Sequence, residues 1–501
     1  MPFRMTSRAI FVTRQRGIAL LLLLMLVGVG ALAVFVTGLN RATQQLERDR
    51  ITNESLARAK EALIGYALTS ETSSTETQPR PGNFPCPDND APGSSGYGIE
   101  DSTCVAGRIG RLPWKTLGLP ELRDSSGEVL WYAVSGNFRR RSIASTSIIN
   151  SDTKGTLQVY GADGSTLLTV PGSEGIAIVF APGAPLGQDR SSSATANCPT
   201  TGTIVARNRC AVNYLENYSS SIGNAITNGP FYAGNLSGVF NDHLLVITTK
   251  DLMPALEPRV AKVVKTALQN YYSANGYYPF PAKYDVCGGV ACASDATQRR
   301  GRLPLNAATA TPVTVDWPGT FDLSWLFVNQ WNQVIYYAVG NSYVSGGSGA
   351  CPAGCLSVNA TQNVAALFFM PGSPVGSVVR PTNSLPDYLE DTENRDGWGA
   401  GANDVYVTPT SVAHDRDRLY AIAIPALCPA QAAILISNVN GTENNCMSGG
   451  TVLQSCVDAA NQLANCSCTA DAQTFITAPC INNLNPAACQ TAINHLQACS
   501  S

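Results

Sequence analysis

Gly17–Leu39 reads GIALLLLLMLVGVGALAVFVTGL, and from Ile18 to Leu39 no residue carries a charge. A helix of about 22 such residues rises roughly 33 Å, enough for a hydrocarbon core of roughly 30 Å. Arg4, Arg8, Arg14 and Arg16 precede it with no acid among them, and charge resumes after it with Arg41, Glu47, Arg48, Asp49 and Arg50. This pattern predicts a transmembrane helix with its basic flank in the cytoplasm and the rest of the chain outside. A cleaved signal peptide would have a shorter apolar run and a small-x-small cleavage site. A plain membrane anchor remains the simplest alternative.

The 501 residues are too many for one core and suit two or three domains. Charged residues make up 14%, against roughly 25% in ordinary soluble proteins, and Gly, Ser, Thr, Asn and Ala take their place. A net charge of −3 gives no pull toward nucleic acid or an anionic surface. Sixteen cysteines in a chain that leaves the cytoplasm predict disulfides in an oxidising compartment. Cys351 with Cys355 and Cys287 with Cys292 come nearest to zinc-site spacing, but the pairs lie far apart in sequence.

Helical text continues past the apolar run. Ala42, Leu46, Leu56, Ala59, Leu63 and Tyr66 form one stripe, so a single helix is expected over 18–68, with its membrane half at 18–39. Glu71 to Gly98 reads as loop. EVLWYAVS from Glu128 reads as a strand, GTLQVYGADGSTLLTVPG as a hairpin turning at Ala162-Asp163-Gly164, and GIAIVFAPG (Gly175 to Gly183) as a buried strand.

The chain then repeats itself. Gly301-Arg-Leu-Pro answers Gly110-Arg-Leu-Pro, and Val334-Ile-Tyr-Tyr-Ala-Val-Gly answers Val129-Leu-Trp-Tyr-Ala-Val-Ser. Ala365-Ala-Leu-Phe-Phe-Met-Pro-Gly-Ser-Pro-Val-Gly answers Ile176-Ala-Ile-Val-Phe-Ala-Pro-Gly-Ala-Pro-Leu-Gly. Tyr388-Leu-Glu answers Tyr214-Leu-Glu, and Asp417-Arg-Leu-Tyr-Ala-Ile answers Asp242-His-Leu-Leu-Val-Ile. The order is kept and the period is roughly 200 residues, which predicts duplicated domains and not a solenoid. Head 1 is placed at 53–252, head 2 at 253–425, and a tail at 426–501.

The order of a short basic leader (1–17) ending in Gly17, an apolar helix starting at Ile18, and an amphipathic continuation resembles the leader of type IV prepilins and type II secretion pseudopilins. ALQNYYSANGYYP in head 2 is similar to the helix-to-loop junction of major pseudopilins, with Gly276 suited to a left-handed cap and Pro279 unable to continue a helix. The resemblance implies cleavage by a prepilin peptidase between Gly17 and Ile18 and methylation of the new amino terminus. The first mature residue is Ile18 where the family has Phe or Met, and the fifth is Leu22 where it has Glu. A missing fifth-position Glu resembles the minor pseudopilin placed at the filament tip.

Cys86/Cys104, Cys287/Cys292, Cys198/Cys210 and Cys351/Cys355 are neighbours within corresponding loops, and four local disulfides are the simplest pairing. The tail holds eight of the sixteen cysteines and almost no charge, so a small disulfide-stapled helical unit is expected. Cys466-Ser-Cys468 reads as structural, since no nearby base or cation would lower a thiol pKa.

No catalytic residue is expected. His243 and His414 lie before the last strand of each head beside Asp242 and Asp415, a place suited to orienting a turn, and His495 lies in the tail. No nucleophile elbow, phosphate loop, dinucleotide fingerprint or zinc-helix motif is present. Asp387, Glu390, Asp391, Glu393 and Asp396 crowd one loop with the hard oxygens Ca²⁺ favours; a solvated acidic loop is the simpler reading, since the spacing fits no EF-hand and head 1 has only Glu216 at the matching place. The resemblance points to calcium as well, since pseudopilins hold it in a loop near the end of the head.

Taken together, these readings predict an α+β protein: a long N-terminal transmembrane and amphipathic helix, two duplicated helix-plus-antiparallel-sheet heads, and a disulfide-rich helical tail. The resemblance implies a single-pass inner-membrane protein with periplasmic or surface heads. It would be a structural minor pilin or pseudopilin, capping or initiating a filament and meeting other pilins through its N-terminal helix. The alternative is a membrane-anchored binding or adhesion protein that never enters a filament.

Overall fold

The computed structural model describes residues 16–69, 81–102, 107–140, 148–191, 195–197, 204–275, 277–284, 292–305, 317, 323–347, 355–359, 361–374, 378–396, 403–409, 417–423, 429–441, 443–448, 450–463, 468–477, 480–481 and 483–500. Helix α1 (Arg16–Thr69) runs for 54 residues, roughly 80 Å at 1.5 Å per residue. Its exposed middle carries charge pairs one turn apart, with Arg50 bonded to both Glu47 and Glu54. Its final turns bury Thr52, Leu56, Ala59, Leu63 and Ala67 against the first sheet. That spacing of three and four residues is one helix face. Leu46, placed on the apolar stripe by sequence, is 70% exposed, so contact with the head begins only at Thr52.

The transmembrane expectation fails. Among the described residues no helix is long and apolar enough to cross a membrane. The inner-membrane, single-pass placement built on that span goes with it. The fold is therefore mixed α and β with several sheets.

Strands β1 (Ile109–Arg111), β2 (Trp131–Val134), β4 (Gly175–Ala181) and β8 (His243–Thr248) form an antiparallel sheet in the order β1-β2-β4-β8. Both faces are covered. Leu130, Tyr132, Val134, Ile176 and Val179 face the core shared with α1, while Trp131, Ala133, Ile178 and Phe180 face a smaller cluster with Tyr214, Leu215 and Phe231. This two-sided burial is why β4 is apolar at every position and not at alternate ones. Short strand β3 (Val159–Tyr160) pairs in parallel with β7 (Phe231–Tyr232), and β5 (Thr195–Asn197) pairs with β6 (Ile204–Ala206).

Helix α2 (Thr249–Asn275) follows β8 directly. Asp251 Oδ2 accepts bonds from Thr248 N and Oγ1 and secures the start. Pro258 lies inside the helix and has no N–H for the carbonyl of Pro254, which instead accepts a bond from Arg418 Nη1 at 3.0 Å. Strands β9 (Arg300–Arg302), β10 (Tyr336–Val339), β12 (Thr361–Met370) and β14 (Arg418–Ala423) then repeat the β1-β2-β4-β8 order. β11 (Leu356–Val358) pairs with β12 and, in parallel, with β13 (Val405–Tyr406), as β3 does with β7. Short helices α3 (Ser324–Val328), α4 (Trp331–Val334) and α5 (Thr392–Asp396) fill the connections.

One core runs continuously from Leu56 on α1 through both sheets to Ile422. The tail has its own core. It packs α6 (Pro429–Ile436), α7 (Gln454–Gln462), α8 (Thr469–Phe475) and α9 (Ala487–Ser500), with the hairpins β15 (Val439–Asn440)/β16 (Glu443–Asn444) and β17 (Met447–Ser448)/β18 (Thr451–Val452). Disulfides Cys446–Cys456, Cys468–Cys499 and Cys480–Cys489 staple it.

Candidate functional site

The Gly-Arg-Leu-Pro motif places one arginine at the edge of each sheet. Its glycine admits no side chain: a Cβ on Gly110 would lie 2.5 Å from Asp88 O, and one on Gly301 1.8 Å from Ala282 O. The arginines lie over aromatic rings, Arg111 at 5.3 Å from Trp131 and 5.9 Å from Tyr214, Arg302 at 4.5 Å from Tyr284 and 4.9 Å from Tyr388. A second arginine joins each tyrosine, Arg190 over Tyr214 and Arg380 over Tyr388, both at 4.9 Å. Two residues on from each tyrosine, a backbone N–H donates to a buried aspartate: Glu216 to Asp242 (2.8 Å) and Glu390 to Asp417 (2.7 Å).

The two second arginines differ in their partners. Arg190 pairs with Glu128 of its own head at 3.0 Å. Arg380, with its side chain almost wholly buried, pairs at 2.8 Å with Asp152 of head 1 and donates to Gly372 O. Around this pair the heads are sewn together. Asn329 Oδ1 accepts from Ile149 N (3.0 Å), Asn150 Nδ2 donates to Asn329 O (3.0 Å), and Ser151 Oγ donates to Glu257 Oε1 (2.8 Å). Lys60 on α1 pairs with Asp251 on α2 at 2.6 Å. Burial pushes the Glu257 carboxyl up to about 7; Ser151 and Arg418, the latter 4.0 Å away, oppose the rise only in part. Burial also raises Asp152 against the pull of Arg380.

A cleft of about 450 Å³ opens beside this seam. Asp152, Lys154 and Asn137 line it from head 1, and Gln330, Gln333 and Arg380 from head 2. Its volume is that of an ordinary ligand site, and such sites favour domain junctions. No pattern in the sequence marks it, because its residues come from segments about 180 and more positions apart.

The residues singled out in the sequence fall elsewhere. Gly17 and Ile18 lie in the first turn of α1. Cys86, Cys210, Cys292 and Cys355 are each disulfide-bonded, whereas Cys104, Cys198, Cys287 and Cys351 lie outside the described residues, as does Gly276. Cys468 pairs with Cys499, leaving no Cys-x-Cys redox pair. His243 opens β8 opposite Ala181, and Arg418 stands at the matching place in head 2 opposite Met370. His414 is outside the described residues, and His495 pairs with Asp471 at 3.2 Å.

The acidic loop is spent on its own turns. Asp387 Oδ2 accepts from Thr382 Oγ1, and Asp391 Oδ1 from Glu393 N. The Asp396 side chain is not described. Among the described residues no group of three or more His, Cys, Asp or Glu is placed to hold a metal ion. Comparison with protein-family models, curated proteins and solved structures gave no match.

Proposed function

We propose that the chain is a structural subunit of the minor pilin or pseudopilin type that caps or initiates a filament. One observation carries this reading. The last turns of α1 are core to head 1, whereas the apolar side chains from Leu20 to Leu32 are between 56% and 74% exposed on the same helix. An apolar stretch of that size exposed on all sides is a surface for other helices. The two sheets offer bulky heads, and Leu22 leaves the helix without the Glu that the resemblance associates with ordinary filament packing.

The test is intact-mass and N-terminal analysis of protein from cells with and without prepilin peptidase, with Gly17→Ala as control. A methylated chain starting at Ile18, only where the peptidase is present, is the expected result. An uncut amino terminus in both strains removes the filament reading. The inter-head cleft would then favour a two-headed binding protein.

A further inference from the structure

We infer that the inter-head cleft binds an extended acidic peptide segment. The cleft's ionisable lining is Asp152, Lys154 and Arg380. Asp152 and Arg380 neutralise each other at 2.8 Å. Lys154 also acts on Asp152, so the lining sets two cations against one carboxylate and is net positive. A carboxylate is the group that answers it.

The side-chain amides of Gln330 and Gln333 also make no hydrogen bond among the described residues. They sit three residues apart across a turn closed by Gln333 N donating to Gln330 O at 3.1 Å. Each carries one acceptor and two donors, which matches the N–H and C=O of a peptide unit. Val334, Val379 and Pro381 supply aliphatic walls, and among the described residues no aromatic ring lines the cleft to stack on a sugar face. The other wall is rigid: Asn150 is bonded to Asn329 O, and Asn137 Nδ2 donates to Lys154 O at 3.0 Å. The inference is independent of whether Gly17 is processed.

The test is fluorescence polarisation on the purified full chain with capped, labelled Ala-Asp repeat peptides. Ala-Asn and Ala-Lys repeats and oligogalacturonate are the comparison ligands. The Ala-Asp peptide is expected to bind saturably, and Lys154→Glu to weaken it by about tenfold or more, the scale of one charge-assisted hydrogen bond. Lys154→Arg retains binding, the Gln330→Ala/Gln333→Ala pair weakens it, and Lys115→Glu, on head 1 beside Trp114, leaves it unchanged. Absence of saturable peptide binding, equal affinity for Ala-Asp and Ala-Asn, indifference to Lys154→Glu, or preference for oligogalacturonate each overturns the inference.

Discussion

Arg380 joins the two heads through a single side chain. It lies over Tyr388, bonds to Gly372 O and neutralises Asp152 across the seam. Removing it as Arg380→Ala leaves a buried carboxylate without its counter-charge, which costs about 3–5 kcal/mol. Denaturant unfolding should show that loss, and adding Asp152→Asn should recover part of it. Glu257 sets a pH dependence at the same seam. Its folded-state pKa of about 7 stands above the ordinary 4.5 because burial disfavours the charge. A raised folded value means the contribution is complete below about pH 4.5 and lost as pH rises through about 7, worth at most about 3 kcal/mol. Asp152 shifts in the same direction. Melting curves should fall between pH 5 and pH 8 in the natural chain and fall less in Glu257→Gln; equal slopes would contradict this account.

The elements divide into those that local pattern revealed and those that it did not. The Leu56, Ala59 and Leu63 spacing announced the buried face of α1, and the unbroken apolar text of 175–181 announced a strand covered on both sides. Leu63→Ala should therefore cost about 2–5 kcal/mol, as a cavity in a packed core does. Leu26→Ala should change head stability by less than about 0.5 kcal/mol, since its side chain touches no core. If assembly is the role of this end of α1, the Leu26 variant should impair filament incorporation without shifting the melting temperature. Helix α2 runs on through Pro254 and Pro258. The tertiary contact from Arg418 satisfies the carbonyl that Pro258 leaves open. The membrane span expected from hydropathy is not found: among the described residues no helix is long and apolar enough to cross a membrane.

Among the described residues the main core is shared by α1 and both sheets, a smaller cluster covers the other face of the first sheet, and the tail has a core of its own. Calorimetry should accordingly resolve a heads transition and a separate tail transition. Replacing the Cys468–Cys499 bridge, which spans 31 residues, by two serines should lower the tail transition by about 2–4 kcal/mol and leave the heads in place. A single transition, or one in which the heads follow the tail, would show heads and tail to be coupled.

The amino-acid sequence by itself determined the long helix, the paired GRLP and Tyr-Leu-Glu blocks, and a cysteine-rich end. Each of these leaves a mark within a few dozen residues, as period, repeated text or composition. The tertiary structure alone decided how far α1 is buried and which tail cysteines join. It alone showed that Arg190 and Arg380 return to the tyrosines of their heads, and that β3 pairs with β7 as β11 does with β13. It alone built the seam from Asp152, Glu257, Asn329 and Arg380. Such contacts join residues far apart in the chain, where side-chain shape and charge meet only after the backbone has folded, so no local period records them.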